Sequence, residues 1–218
     1  GPISQPLTIN GYSQSGTRVN DSAEASNAIL RIRIDGDLTP AGTSGLALCA
    51  ASSQIRGLAI TGFPDQGIRV TPGCNVAGSS IAGNFIGLGS SGIAEFGNTN
   101  AVQLGAGPIT LGGAALADRN VIAGNTNGIA IASSATATIA NNLIGTDKSG
   151  ALDFGQSFGI GTVDSATGNS VIGLAGAPNR IRFNSIGIRH RSAVSVLTLY
   201  ENHIGNSDGV GIDLGTDG

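Results

Sequence analysis

Small and apolar positions alternate along this chain in pieces too short for helices. The unit is small, apolar, any, apolar. It reads Gly45-Leu46-Ala47-Leu48, Gly67-Ile68-Arg69-Val70, Ala101-Val102-Gln103-Leu104 and Gly128-Ile129-Ala130-Ile131. It continues as Gly159-Ile160-Gly161-Thr162, Gly187-Ile188-Arg189-His190 and Gly209-Val210-Gly211-Ile212. Successive copies start 22, 34, 27, 31, 28 and 22 residues apart. A second unit, Asn-any-Ile-small, falls between them at Asn84-Phe85-Ile86-Gly87, Asn120-Val121-Ile122-Ala123, Asn142-Leu143-Ile144-Gly145 and Asn202-His203-Ile204-Gly205. Each repeat therefore predicts at least two short strands separated by Asn or Gly turns.

A longer period overlies the short one. Residues 85–102 align with 143–160 at an offset of 58, and residues 120–129 align with 179–188 at 59. Two kinds of turn thus alternate, one carrying an insertion, Leu88–Asn98 or Thr146–Gln156. Strands this short cannot bury a face alone, but stacked in parallel they bury one continuous Ile/Leu/Val column. Gly and Asn supply the positive φ that sharp corners need. The expected fold is all-β, a right-handed parallel β-helix of about seven to eight coils, with residues 1–218 as one domain. At roughly 4.8 Å per coil the rod would be about 35 Å long. An antiparallel sandwich would require polar-apolar alternation throughout. Only Ala28–Asp35 shows it, with Leu30, Ile32 and Ile34 on one face and Arg31, Arg33 and Asp35 on the other.

Composition agrees. Glycine supplies 36 of 218 residues, more than twice the usual share of roughly 7%. Charged residues are only 11% and aromatics 4%. Lys148 is the single lysine, and a chain so poor in Lys and Glu is a poor helix former. The net charge of −3 excludes the basic footprint of a general nucleic-acid binder. No apolar run approaches the ~18 residues of a membrane span. The chain starts without Met, and Gly1-Pro2 reads as a remnant of proteolytic cleavage.

Leu111–Ile129 (LGGAALADRNVIAGNTNGI) and Asn142–Gly150 (NLIGTDKSG) resemble the repeat units of large bacterial secreted or cell-surface right-handed parallel β-helix proteins, within the pectate-lyase-like superfamily. Pro6–Gln14 and Gly211–Gly218 resemble the segments that flank such repeats, so the resemblance covers essentially the whole chain. It implies the same fold, a bacterial extracellular or cell-surface location, and a segment cut from a longer protein. It carries little about activity.

Chemistry-bearing patterns are sparse. β-Helix glycosidases need convergent carboxylates. The Asp-Asp pair, Gly-His-Gly and Arg-x-Lys of polygalacturonase-like enzymes do not occur in the sequence. Asp35/Asp37 and Asp213/Asp217 are the closest Asp neighbours, and turn-forming contexts account for them. His190 and His203 lack a metal-ligand spacing, and neither a nucleophile elbow nor a phosphate loop is present. No cofactor or metal is implied. Arg180, Arg182, Arg189, His190 and Arg191 form the one dense basic cluster, with inward Ile181, Ile186 and Ile188 between them. Outward guanidinium groups there fit an acidic polysaccharide or sulfate, or simply a solvated face that discourages lateral pairing. Arg31, Arg33, Arg56 and Arg69 form a looser second stripe. Phe96 and Phe154, equivalent in the two inserted loops, are placed either to stack on sugar or to pin their loops to the rod.

The function expected is a non-enzymatic extracellular stalk or adhesin-like module that binds a glycan or a surface protein. The alternative is a polysaccharide lyase or glycoside hydrolase, which a cleft holding two carboxylates would favour. Three structural expectations accompany this. Cys49 and Cys74, 25 residues apart, lie about one coil apart and would form a disulfide in an exported protein. Asn84, Asn142 and Asn202 share one corner, and Asn142→Leu costs about 1–3 kcal/mol through lost bonds to buried backbone. The ends of the solenoid are either tucked under terminal loops or stack end to end.

Overall fold

The computed structural model describes residues 1–215. Three seven-stranded sheets run the length of the molecule, and every pairing between their strands is parallel. The first sheet holds Thr8–Asn10, Gln54–Arg56, Ser79–Ala82, Ile109–Gly112, Ala137–Ala140, Ser170–Ile172 and Leu197–Leu199. The second holds Ile32–Asp35, Leu58–Thr61, Phe85–Ile86, Val121–Ile122, Leu143–Ile144, Arg180–Arg182 and His203–Gly205. The third holds Leu46–Leu48, Gln66–Val70, Asn100–Leu104, Asn127–Ile131, Phe158–Thr162, Ile186–Arg189 and Ile212–Asp213. The chain visits the sheets in that order seven times, giving a parallel β-helix of seven coils.

The registers place one apolar column per sheet inside. Ile55, Ile81, Leu111, Ile139 and Ile172 stack in the first sheet. Ile60, Ile86, Ile122, Ile144, Ile181 and Ile204 stack in the second. Ile68, Val102, Ile129, Ile160 and Ile188 stack in the third. Except for Ile204, which is partly buried, all of these are buried in one core. Each contributes on the order of 1.5–3 kcal/mol of burial, and β-branched Ile suits the pleated surface.

Buried amides lock the corners. Between the first and second sheets, Nδ2 of Asn84, Asn120, Asn142 and Asn179 each donates to Oδ1 of the Asn one coil on, ending at Asn202, at 2.9–3.2 Å. The predicted corner of Asn84, Asn142 and Asn202 is thus a ladder of five. A second ladder runs between the second and third sheets through Asn98, Asn125, Gln156 and Asn184. The glutamine reaches its neighbours from an equivalent rung. The same corner needs a left-handed residue, supplied by Gly124 (φ 70°) in one coil and by Phe183 (φ 60°) two coils later. There a Cβ is carried at a cost of about 1–2 kcal/mol.

Cys49 and Cys74 are joined in a disulfide with Cα atoms 5.0 Å apart. It ties the first coil to the second where the chain leaves the third sheet.

A second apolar cluster lies outside the helix. The outward column of the second sheet reads Arg33, Ala59, Phe85, Val121, Leu143, Arg180 and His203. Its apolar middle is covered by Ala28 and Leu30 of an N-terminal strap and by Leu88 and Phe154 of the inserted loops. Of its two expected roles, Phe154 therefore takes the one of pinning its loop. Phe96 is exposed, and the Arg33 guanidinium lies over its ring at 4.3 Å. The two loops also meet, the Lys148 amide donating to the Gly92 carbonyl. Tyr12 anchors the strap's start through a 2.7 Å bond to the Gly83 carbonyl. Burial, opposed by Arg56, pushes the Tyr12 pKa up to about 12.

Arg119, only 4% exposed, holds the middle of the strap. Its Nη1 donates to the carbonyls of Ser22 (3.1 Å) and Ala25 (2.7 Å). Its Nη2 and Nε donate to Asn141 Oδ1 at 2.6 and 3.0 Å. Arg119→Met should leave these acceptors unpaired and speed tryptic cleavage after Arg18 about tenfold, the equivalent of ~1.4 kcal/mol of local opening. Cleavage at the wild-type rate would show that the strap is held by its apolar contacts alone.

Two expectations are corrected. The last copy of the third-sheet unit is Gly211-Ile212, because Ile188 pairs with Ile212 and not with Val210. Both carry the small-apolar signature, but only Ile212 continues the inward column. Leu30 does not share a face with Ile32 and Ile34: the strand begins at Ile32, and Leu30 belongs to the outer cluster. At one end Ile3 bridges Leu48, adding a rung to the third sheet. At the other, Leu199, Tyr200, Val210, Ile212 and Leu214 are exposed.

Candidate anion-binding site

The Arg180-Ile181-Arg182 strand turns Ile181 inward, where it is fully buried, and so directs both arginines outward. Arg180 forms an ion pair with Glu24 of the strap. Arg182 Nη1 donates to the Gly150 carbonyl at 3.1 Å. Between them lies a cavity of about 180 Å³ lined by Glu24, Leu143, Thr146, Ser149, Gly150, Arg180 and Arg182. A second cavity of about 210 Å³, on the other side of Glu24 and Arg180, includes Arg119 and Asn141. Burial pulls the Arg119 pKa down, the Arg180 charge adds to this, and Glu24 partly offsets it. Arg119 and Arg180 thus share the field of one carboxylate, that of Glu24.

The floor of the first cavity comes from the loop that begins at Thr146. Asp147 organises it: its carboxylate accepts from the amides of Ser149, Ala151 and Leu152 and from the Ser149 hydroxyl. Burial pushes the Asp147 pKa up, but these bonds outweigh it and hold the carboxyl below its ordinary range. That carboxylate is consumed inside its own loop.

The structure divides the predicted basic cluster. Arg180 and Arg182 sit on the second sheet, while Arg189 ends the third-sheet strand beyond the corner formed by Asn184. Arg189 stacks over Phe158 at 4.2 Å. Burial, with Arg191 nearby, lowers its pKa against the pull of Asp213 and Asp164. His190 Nδ1 lies 3.1 Å from the Thr162 hydroxyl, whose oxygen also accepts from the Arg191 amide. The five residues follow one another in sequence but occupy two faces, because a corner intervenes. The looser stripe is dispersed too: Arg56, Arg33 and Arg69 lie on the first, second and third sheets, respectively. Arg33 pairs with Asp35 and Asp37, which accounts for that acidic pair. Asp217 of the other pair lies outside the described residues.

Two other surface features bear on function. A cleft of about 370 Å³ at the corner after the second sheet is lined by Asp153, Asp208, Phe183, Gln156, Ser157 and Ser185 among others. It therefore holds two carboxylates, with Asp153 Oδ1 accepting from the Gly155 amide. A groove of about 310 Å³ crosses the outer face of the first sheet, over Ser80, Thr110, Thr138 and Val171. Among the described residues no group of three or more His, Cys, Asp or Glu is placed to hold a metal. No helix among them is long and apolar enough to cross a membrane.

Arg119 and Glu24 were not legible as site residues from sequence. Glu24 lies in a segment without periodicity, and its partner is 156 positions away (180 − 24). No family model, no curated protein and no solved structure matches this chain.

Proposed function

We propose that this chain is a rigid extracellular β-helix module, stalk- or adhesin-like in the manner of bacterial surface proteins, that binds an anionic glycan through Arg180 and Arg182. The observation that carries the reading is the cavity between those two guanidinium groups, built on a sheet that the asparagine ladders hold fixed. Preorganised forks of this kind match carboxylate and sulfate oxygens. The disulfide supports export to an oxidising compartment. The exposed apolar residues of the last coil, Leu199, Tyr200, Val210, Ile212 and Leu214, support end-to-end stacking of such modules as a further partner mode.

Binding of pectate, alginate and sulfated glycans to the purified protein tests the reading. Binding should fall steeply with salt, since exposed charge is screened within ~8 Å at physiological ionic strength. It should be lost in Arg180→Ser/Arg182→Ser and retained in Arg189→Ser/Arg191→Ser. Equal loss in both variants, or no binding at low salt, overturns it.

One observation favours the second reading, a β-helix polysaccharide lyase or glycoside hydrolase: the cleft shared by Asp153 and Asp208. Release of reducing ends or unsaturated uronates that disappears in Asp153→Asn would replace the stalk reading with the enzyme.

A further inference from the structure

We infer that Glu24 is a built-in stand-in for the ligand's carboxylate, and that the cavity between Arg180 and Arg182 therefore takes a uronate sugar. The inference rests on the proposed glycan-binding reading and narrows it to one ligand class and one internal competitor.

The argument starts from donors and acceptors. The Thr146 hydroxyl donates to the Leu152 carbonyl at 2.8 Å, and the Ser149 hydroxyl donates to Asp147 Oδ1 at 2.8 Å. Both protons are spent within the loop, and Thr146 is fully buried, so only the exposed Ser149 oxygen, which also accepts from the Ala151 amide, offers a lone pair to the cavity. The donors that face it are the guanidinium groups of Arg180 and Arg182. A complementary ligand must supply an anionic acceptor for the arginines and a hydroxyl donor for Ser149. A sugar carboxylate beside ring hydroxyls has that combination. The volume of about 180 Å³ suits one ring, with the remainder of a polymer running outside.

Glu24 already shows the first half of this recognition, its Oε2 paired with Arg180 Nη2. The Glu24 side chain is 79% exposed and that of Arg180 is 23% exposed. An ion pair so open to water is weak and readily displaced. The strap need not leave with it, because Arg119 and the outer apolar cluster hold it independently. An incoming uronate would exchange one carboxylate for another on Arg180 and add Arg182, which Glu24 does not engage.

The test is titration calorimetry of the whole chain with a galacturonate oligosaccharide at low salt. The matching neutral galactose oligosaccharide and inorganic sulfate are the comparison probes. Glu24→Gln should tighten uronate binding about threefold to fivefold by removing the competitor. Arg182→Ser should weaken it at least tenfold, and the gain from Glu24→Gln should vanish in an Arg180→Ser background. The neutral oligosaccharide should not bind, and sulfate should bind more weakly than the uronate. Thermal melts of each variant separate a folding defect from a binding one. Wild-type binding that Glu24→Gln leaves unchanged or weakens would overturn the stand-in role while leaving the glycan reading intact. Sulfate binding as tightly as uronate would overturn the ligand class. Absence of uronate binding in both wild type and Glu24→Gln sinks the underlying reading itself.

Discussion

Asn142→Leu is expected to lower the melting temperature by about 10–15 °C, from a loss of about 3–5 kcal/mol. Asn142 is fully buried at the centre of its ladder. Its Nδ2 donates to the carbonyls of Leu111 and Ala140 and to Asn179 Oδ1, and its Oδ1 accepts from Asn120 Nδ2. Leucine has nearly the same shape but neither donates nor accepts. Four buried polar groups each lose one partner. Asn179 Oδ1 keeps the amide of residue 142, and the Ala140 carbonyl keeps the Gly113 amide. The cost of about 1–3 kcal/mol per unpaired group therefore falls chiefly on the second Asn120 N–H and the Leu111 carbonyl. The loss exceeds the value of about 1–3 kcal/mol expected from the sequence because the fold gives this one amide several buried partners. Asn127→Leu is the control. Asn127 also stacks on an Asn one coil away, at 3.1 Å from Asn100, but its rung is half-buried on the outer face. Water can replace that bond, so the change should stay within about 1 kcal/mol. Equal effects at 142 and 127 would mean that the amide stack, and not its burial, stabilises the coil.

The contrast also explains which parts of the molecule could be read from its sequence. The β-helix was legible because one physical demand repeats in every coil. An inward apolar residue must sit above the last, as in the column from Ile60 to Ile204, and a corner amide must bond to the next. Periodic demands leave periodic residues. The outer cluster was only half legible. Phe85, Val121 and Leu143 stand at the variable place of the Asn-x-Ile unit and are all apolar, a signal that this face is covered. What covers it, the strap around Ala28 and Leu30, has no repeat and could not be placed. The same limit applied to the site. A run of four arginines in twelve residues suggested one patch, but the corner at Asn184 turns the chain and divides them. Glu24 and Arg119 join the site through contacts that no local spacing encodes. The two-residue slip at Gly211-Ile212 has the opposite cause, since two overlapping copies of the same signature were present and only pairing with Ile188 decided between them.

Replacing both cysteines by serine is expected to remove about 3 kcal/mol and to lower the melting temperature by about 10 °C. The disulfide closes a loop with a sequence separation of 25, for which the chain-entropy model gives about 3.5 kcal/mol. The loss should be local in origin. Coils of a solenoid contact only their neighbours, so stability propagates along the stack, and the first coil has a neighbour on one side only. Its third-sheet strand carries Ile3 as an extra rung, and the Cys49 amide itself donates to the Ile3 carbonyl at 2.9 Å. Freeing Cys49 from Cys74 therefore removes the covalent tie between that strand and the second coil and leaves only its parallel pairing with Gln66–Val70. Hydrogen exchange should accelerate first in residues 1–50, with the interior strands from Ser79 to Ile172 still protected. The direct check on the premise is a thiol titration of the wild-type chain purified under oxidising conditions. Two titratable thiols there would remove the disulfide from the account. A double-serine variant that melts with wild-type exchange throughout would show instead that the parallel pairing of Leu46–Leu48 with Gln66–Val70 holds the first coil in place.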